Sequence, residues 1–145
     1  MPFEQLRLDN QLCFPLYAAS RLVTRSYQPL LEKLDLTYPQ YLVLMILWEK
    51  DGVSVNEIAD RLILNTNTVT PLLKRMESGE LITRKRSGKD ERKVMIALTE
   101  KGRELESRAA EIPVKILEAL EPAGIPLEEL ENMKSALCRL MHALS

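Results

Sequence analysis

The chain has 145 residues, with 20 Lys and Arg against 21 Asp and Glu, for a net charge of −1. That length fits one domain with appended helices, and 46% hydrophobic with 28% charged residues excludes a disordered chain. Only 5% aromatics and 5 glycines speak against a strand-rich sandwich or barrel.

Apolar residues at positions 12, 16, 19, 23, 27, 30 and 34 recur in steps of three and four, which predicts one helical face. Pro15 falls in the first turn, where a missing N–H removes little. Pro29 is interior and is expected to kink the helix. Thr37, Pro39 and Gln40 mark the next start: Thr37 caps, Gln40 reaches back, and Pro39 sits early. Tyr41–Trp48 is apolar nearly all round and predicts a buried helix, far short of the roughly 20 residues of a membrane span. Asp51–Gly52 ends it. Ser54-Val55-Asn56-Glu57 is a second capping box, opening a short helix with Val55, Ile58, Ala59 and Leu62 on one face. Asn65-Thr66-Asn67-Thr68 clusters cap-forming residues. Val69, Leu72, Leu73 and Met76 follow at helical spacing, up to Ser78–Gly79. Two short helices joined by a few residues predict a helix-turn-helix.

Leu81–Arg86 and Lys93–Leu98 are β-like, and the charged, glycine-containing loop Ser87–Arg92 joins them. A hairpin directly after the second helix is a wing. Thr99 caps a long helix to about Leu120, with a kink expected at Pro113. A turn at Pro122–Pro126 precedes a last helix from Leu127 to about Leu144, with Leu130, Met133, Leu137, Leu140 and Leu144 on its stripe. The expected fold is mainly α with a small β-hairpin wing. A winged helix-turn-helix at 37–98 is flanked by dimerisation helices at 1–36 and 99–145. A winged unit of about sixty residues has too little core to cover the flanking apolar faces, so a second copy is the expected partner, in a homodimer.

Residues 61–93 hold nine basic side chains and four acidic ones, a net +5, whereas 104–131 hold eight Glu and two basic residues, a net −6. On charge alone a solvated surface fits as well as a polyanion contact. With the helix-turn-helix, the basic middle points to double-stranded DNA and a two-fold symmetric operator. Thr66, Asn67, Thr68 and Thr70 start the second helix and can reach base edges. Lys74 and Arg75 can contact phosphate. Arg84, Arg86, Lys89 and Arg92 belong to the wing.

Cys13 and Cys138 make neither a disulfide framework nor a metal site. His142 is the only histidine, which excludes a His-rich zinc site and disfavours Ser–His–Asp chemistry. No metal and no cofactor is expected. The opening MPFEQLRLDN lacks the basic-then-apolar pattern of a secretory signal, so a cytoplasmic, reducing setting away from the membrane is expected. A cysteine on an amphipathic helix is ordinarily inert. A reactive one must be a thiolate, which takes a helix N-terminus, a cation or hydrogen-bond donors. Cys138, beside Leu137, reads as a core or interface thiol, and His142 as a surface residue.

The stretch Leu62–Glu77 (LILNTNTVTPLLKRME) resembles the recognition helix of MarR-family repressors. Leu81-Ile82-Thr83-Arg84, Asp90-Glu91-Arg92 and Leu98-Thr99-Glu100-Lys101-Gly102 resemble that family's wing signature. Leu12-Cys13-Phe14 with Leu16-Tyr17, and Leu36-Thr37-Tyr38-Pro39-Gln40-Tyr41, resemble the organic-hydroperoxide sensors of the family, the OhrR group. The resemblance covers essentially the whole chain. It departs at Asn65-Thr66-Asn67, where relatives usually read Asp-Ser-Gly, and at Pro15.

The resemblance implies that Cys13 senses redox state and that Tyr27 and Tyr38 of the other subunit donate their phenol O–H groups to its thiolate. It implies an organic hydroperoxide as inducer, oxidation to sulfenic acid, and a small thiol as a mixed-disulfide partner. The bulkier product would disturb the packing between dimerisation helices and the DNA-reading unit and release DNA. Arg92 at the wing tip would enter a minor groove, with Asp90 shaping the tip by pairing with an arginine. Global redox and virulence regulators of the same branch use the same cysteine. Other readings are a MarR-type regulator that senses a small phenolic or lipophilic ligand, and a thiol peroxidase. Cys13 with Tyr27 and Tyr38 disfavours the first, and the lack of a thioredoxin-like βαβ pattern disfavours the second.

Overall fold

A computed structural model describes residues 3–145. Among these residues the α-helices are α1 Cys13–Glu32, α2 Tyr38–Glu49, α3 Val55–Leu62, α4 Thr66–Ser78, α5 Glu100–Ala109, α6 Ile112–Leu120 and α7 Leu127–Leu144. The strands β1 Val53–Ser54, β2 Ile82–Arg86 and β3 Val94–Leu98 form an antiparallel sheet in the order β1-β3-β2. This is a winged helix with helices before and after it.

Local chemistry accounts for most boundaries. Cys13 is the first residue of α1 and Pro15 the third, so the proline sits where backbone N–H groups have no helical partner. The helix runs through Pro29 and ends at Glu32, sooner than the apolar stripe suggests. Asp35 then takes a left-handed φ of 56°, and the Leu36 N–H donates back to the Leu31 carbonyl at 3.0 Å. Thr37 and Gln40 form the expected reciprocal box: Thr37 Oγ1 accepts from the Gln40 N–H at 3.3 Å, and Gln40 Oε1 accepts from the Thr37 N–H at 3.0 Å. Ser54 Oγ accepts from the Glu57 N–H at 3.1 Å and starts α3.

Two expectations are corrected. The sheet has a third strand, because Val53 pairs with Ile96 and Ser54 with Met95. The long helix expected from Thr99 to Leu120 is two helices, α5 and α6, separated at Ala110–Glu111. Pro113 is the second residue of α6 and has no N–H for the Ala109 carbonyl, while its ring crowds that carbonyl. The chain breaks there where a kink was expected.

The core is continuous. Val43, Leu44, Ile58, Val69, Leu73, Met76 and Ile96 are fully enclosed. Leu31 and Leu34 join it from the end of α1, as do Leu105 of α5 and Ile112 and Ile116 of α6. Asp51 ties α2 to the sheet and to α5: Oδ1 accepts from the Leu98 N–H at 2.8 Å, and Oδ2 lies 3.2 Å from the Arg103 guanidinium. The Trp48 indole N–H donates to the Gly102 carbonyl at 2.9 Å. In contrast, no residue of α7 is buried, and Leu12 just before α1 and Leu16 and Leu22 within it face solvent. Among the described residues no helix is long and apolar enough to cross a membrane.

Candidate redox and nucleic-acid site

Helix α4 is oriented by its apolar face. Val69, Leu72, Leu73 and Met76 are buried, so Thr66, Asn67 and Thr68 turn outward and Thr70 is half-buried. Asn65 caps the helix, its Oδ1 accepting from the Asn67 N–H at 2.8 Å. Lys74 and Arg75 are exposed farther along.

The wing tip is held by its own polar groups. Ser87 Oγ accepts from the Lys89 N–H at 3.2 Å and from the Asp90 N–H at 3.4 Å. Asp90 Oδ1 accepts from the Arg92 N–H at 3.1 Å and from Arg92 Nε at 3.3 Å. Arg86 Nη1 donates to the Glu91 carbonyl at 2.8 Å, so its guanidinium braces the loop. The Arg92 side chain nevertheless stays 92% exposed, and Lys89 is exposed beside it. Asp90 thus orients Arg92 without covering it.

Arg84 stands apart from the other wing residues. Its side chain is 18% exposed and lies against α4, with Nη1 3.8 Å from Glu77 Oε1. Glu77, to which the sequence reading gave no role, also accepts the Arg84 backbone N–H at 3.1 Å. The spacing across a helix end and a turn gives no periodic signal for this pair.

Cys13 is exposed in the first turn of α1. Tyr27, near the other end of α1, meets Tyr38 at the start of α2 edge-on, with ring centroids 5.0 Å apart. Tyr41 packs on both at 6.0 and 6.3 Å. Burial pushes the Tyr27 phenol above its ordinary pKa, and the neighbouring Tyr38 adds to the effect. Burial does the same to Tyr38. Both phenols therefore keep their protons at physiological pH and remain donors. Cys13 and Tyr27 are about 21 Å apart along α1 at about 1.5 Å per residue, so one chain does not bring the thiol to the phenols.

Tyr17 follows Cys13 at i+4 and shares its helix face, with the Arg21 guanidinium 4.6 Å above its ring. The i, i+4 spacing was the sequence signal for it. Cys138 and His142 are exposed on α7. An open cleft of about 470 Å³ lies along α1 and the start of α2, lined by Arg21, Thr24, Arg25, Gln28 and Tyr38 among others. Among the described residues no His, Cys, Asp and Glu cluster could hold a metal.

Known proteins share this fold. The family model for the transcriptional regulator SarA/Rot matches residues 25–108. The organic hydroperoxide resistance transcriptional regulator of Bacillus subtilis (strain 168) is 50% identical over 142 residues, 98% of this chain and 95% of that protein. This chain belongs to the SarA/Rot, MarR-like family of transcriptional regulators. The regulator also resembles the solved structures of AbfR, a Staphylococcus epidermidis protein. Reduced AbfR bound to DNA is 37% identical, with a TM-score of 0.79 over 99% of this chain and 96% of that one. Disulfide-formed AbfR is 36% identical, with a TM-score of 0.62 over 97% of each chain. The peroxidase reading is set aside, since the regulator belongs to a family of DNA-binding proteins and is not an enzyme.

Proposed function

We propose that this regulator is a homodimeric repressor that holds DNA while Cys13 is reduced and releases it when an organic hydroperoxide oxidises Cys13. The observation that carries the reading is the placement of an exposed thiol at one end of α1 and a protonated phenol pair at the other. Only a second copy can bring the two together, and the solvent-facing apolar residues of α1 and α7 are the surface for it. The relative named for hydroperoxide resistance supports the inducer. The greater likeness to reduced, DNA-bound AbfR than to its disulfide form supports reading this fold as the DNA-competent one.

The Cys13 thiolate attacks the distal oxygen of the hydroperoxide, the O–O bond breaks, and the alkoxide takes a proton and leaves as an alcohol. The sulfur is left as sulfenic acid. A small thiol then attacks that sulfur, an S–S bond forms, and water leaves. Either product is larger and more polar than the thiol it replaces at the dimer surface, and it shifts the spacing of the two recognition helices. On DNA, Thr66, Asn67, Thr68 and Thr70 meet base edges, Lys74, Arg75 and Lys89 meet phosphates, and Arg92 enters a minor groove.

Two measurements test this reading. Sedimentation is expected to show a dimer at micromolar concentration, and a folded monomer would sink the shared thiol–phenol site. Anisotropy against a palindrome selected from a random library is expected to show tight binding that weakens steeply with salt. Arg92→Ala should lose about 1–3 kcal/mol of it. If no palindrome is selected, or if binding ignores salt, the DNA assignment fails.

A further inference from the structure

We propose that Glu77 is a positioning residue that locks the wing onto the recognition helix and so sets the distance between the two DNA-reading elements. The inference rests on the DNA-binding reading above.

Glu77 is the penultimate residue of α4, where the helix dipole disfavours a carboxylate. Its compensating partners lie on the next element. Strand β2 is an edge of the sheet, so part of its backbone faces away from β3. One such group, the Arg84 N–H, donates to Glu77 Oε2 at 3.1 Å. The Arg84 guanidinium folds back to the other oxygen of the same carboxylate, 3.8 Å from Oε1. Its Nε is covered and has no hydrogen-bond partner among the described residues. A single carboxylate thus carries both the strand backbone and a largely covered cation. The covalent link between α4 and β2 is a short turn in which Glu80 takes a left-handed φ of 62°. Thr99 Oγ1 and Lys101 Nζ hold the turn itself, donating to the Glu80 and Gly79 carbonyls at 2.6 and 3.0 Å, and the clamp is the tie that joins the α4 side chain directly to strand β2. Arg92 rides at the far end of that hairpin, and Asn67 sits at the far end of α4.

Removing the carboxylate leaves the Arg84 charge without a counterion and the edge N–H open. Arg84 then turns to water and the hairpin loosens. A glutamate that is only a solvated surface charge predicts the opposite sign, because deleting an acid near DNA tightens binding to polyanions.

The test compares Glu77→Ala, Glu77→Gln and the parent, all as full chains. Tryptic cleavage within Lys85–Lys93 is followed without DNA, and anisotropy is read on a selected palindrome and on a scrambled duplex. Glu77→Ala is expected to be cut faster in the wing and to lose about tenfold in affinity for the palindrome, with little change on the scrambled duplex. Glu77→Gln keeps an acceptor for the Arg84 N–H but supplies no counterion, and is expected to fall between Glu77→Ala and the parent in both readouts. Arg84→Ala tests the same clamp from the strand side and should also be cut faster. An unchanged wing cleavage rate in Glu77→Ala, or tighter binding to the palindrome, overturns the proposal. A parent that selects no palindrome counts against the DNA reading alone, and the cleavage comparison still decides the clamp.

Discussion

A Cys13→Ser regulator is expected to stay on its DNA when organic hydroperoxide is added, under conditions that release the parent completely. Serine is close in size to cysteine, and Cys13 is exposed in the single chain, so folding and DNA affinity should be unchanged. Serine has no oxidation ladder, so the switch has no chemistry left. Tyr27→Phe and Tyr38→Phe keep the edge-on ring pair and each remove one O–H donor, so each should slow the release without abolishing it. Under the proposed mixed-disulfide route, Cys138→Ser should respond like the parent. A resolving role for Cys138 would instead give a covalent dimer on non-reducing gels. Release of DNA by the Cys13→Ser protein on exposure to hydroperoxide would overturn the redox reading.

The second large effect is on stability. Gly102→Ala is expected to destabilise the fold by about 2–3 kcal/mol, the upper range for forcing atoms into a packed site. A Cβ at Gly102 would stand 2.3 Å from the Leu81 carbonyl oxygen and 3.1 Å from Leu98 Cδ2. The first of these is backbone and is already engaged, because it accepts the Thr99 N–H at 3.1 Å. The Gly102 carbonyl is also held, by the Trp48 indole. Helix α5 therefore cannot retreat without opening the root of the wing. The urea midpoint should fall at constant slope, and DNA affinity should fall with it. A variant within roughly 0.5 kcal/mol of the parent would show that the contact yields freely.

Signals that lie within a few residues of each other were legible in the sequence. The Thr37 and Ser54 caps, the Asn65 cap and the apolar spacing of Val69, Leu72, Leu73 and Met76 each involve neighbours on one turn, so residue order alone placed α2, α3 and α4. The same holds for the wing, whose strands needed only a turn between two β-like runs. Strand β1 was missed because two residues carry no period, and its pairing with β3 joins segments far apart in the chain. The break at Pro113 was read as a kink because a proline alone does not say whether packing holds the two halves in line.

The sequence by itself determined the order of helices α1 to α4 and of the β2–β3 wing, the outward face of α4, the basic charge of the middle segment and the positions of Cys13, Tyr27 and Tyr38. Only the tertiary structure decided which of these groups meet. It turned Arg84 back onto Glu77 and left Cys13 about four helical turns from Tyr27 of its own chain. The reason is physical. Periodicity and capping are local energies that can be read along the chain, whereas ion pairs, close approaches such as Gly102 on Leu81, and burial of a phenol depend on how separate elements pack.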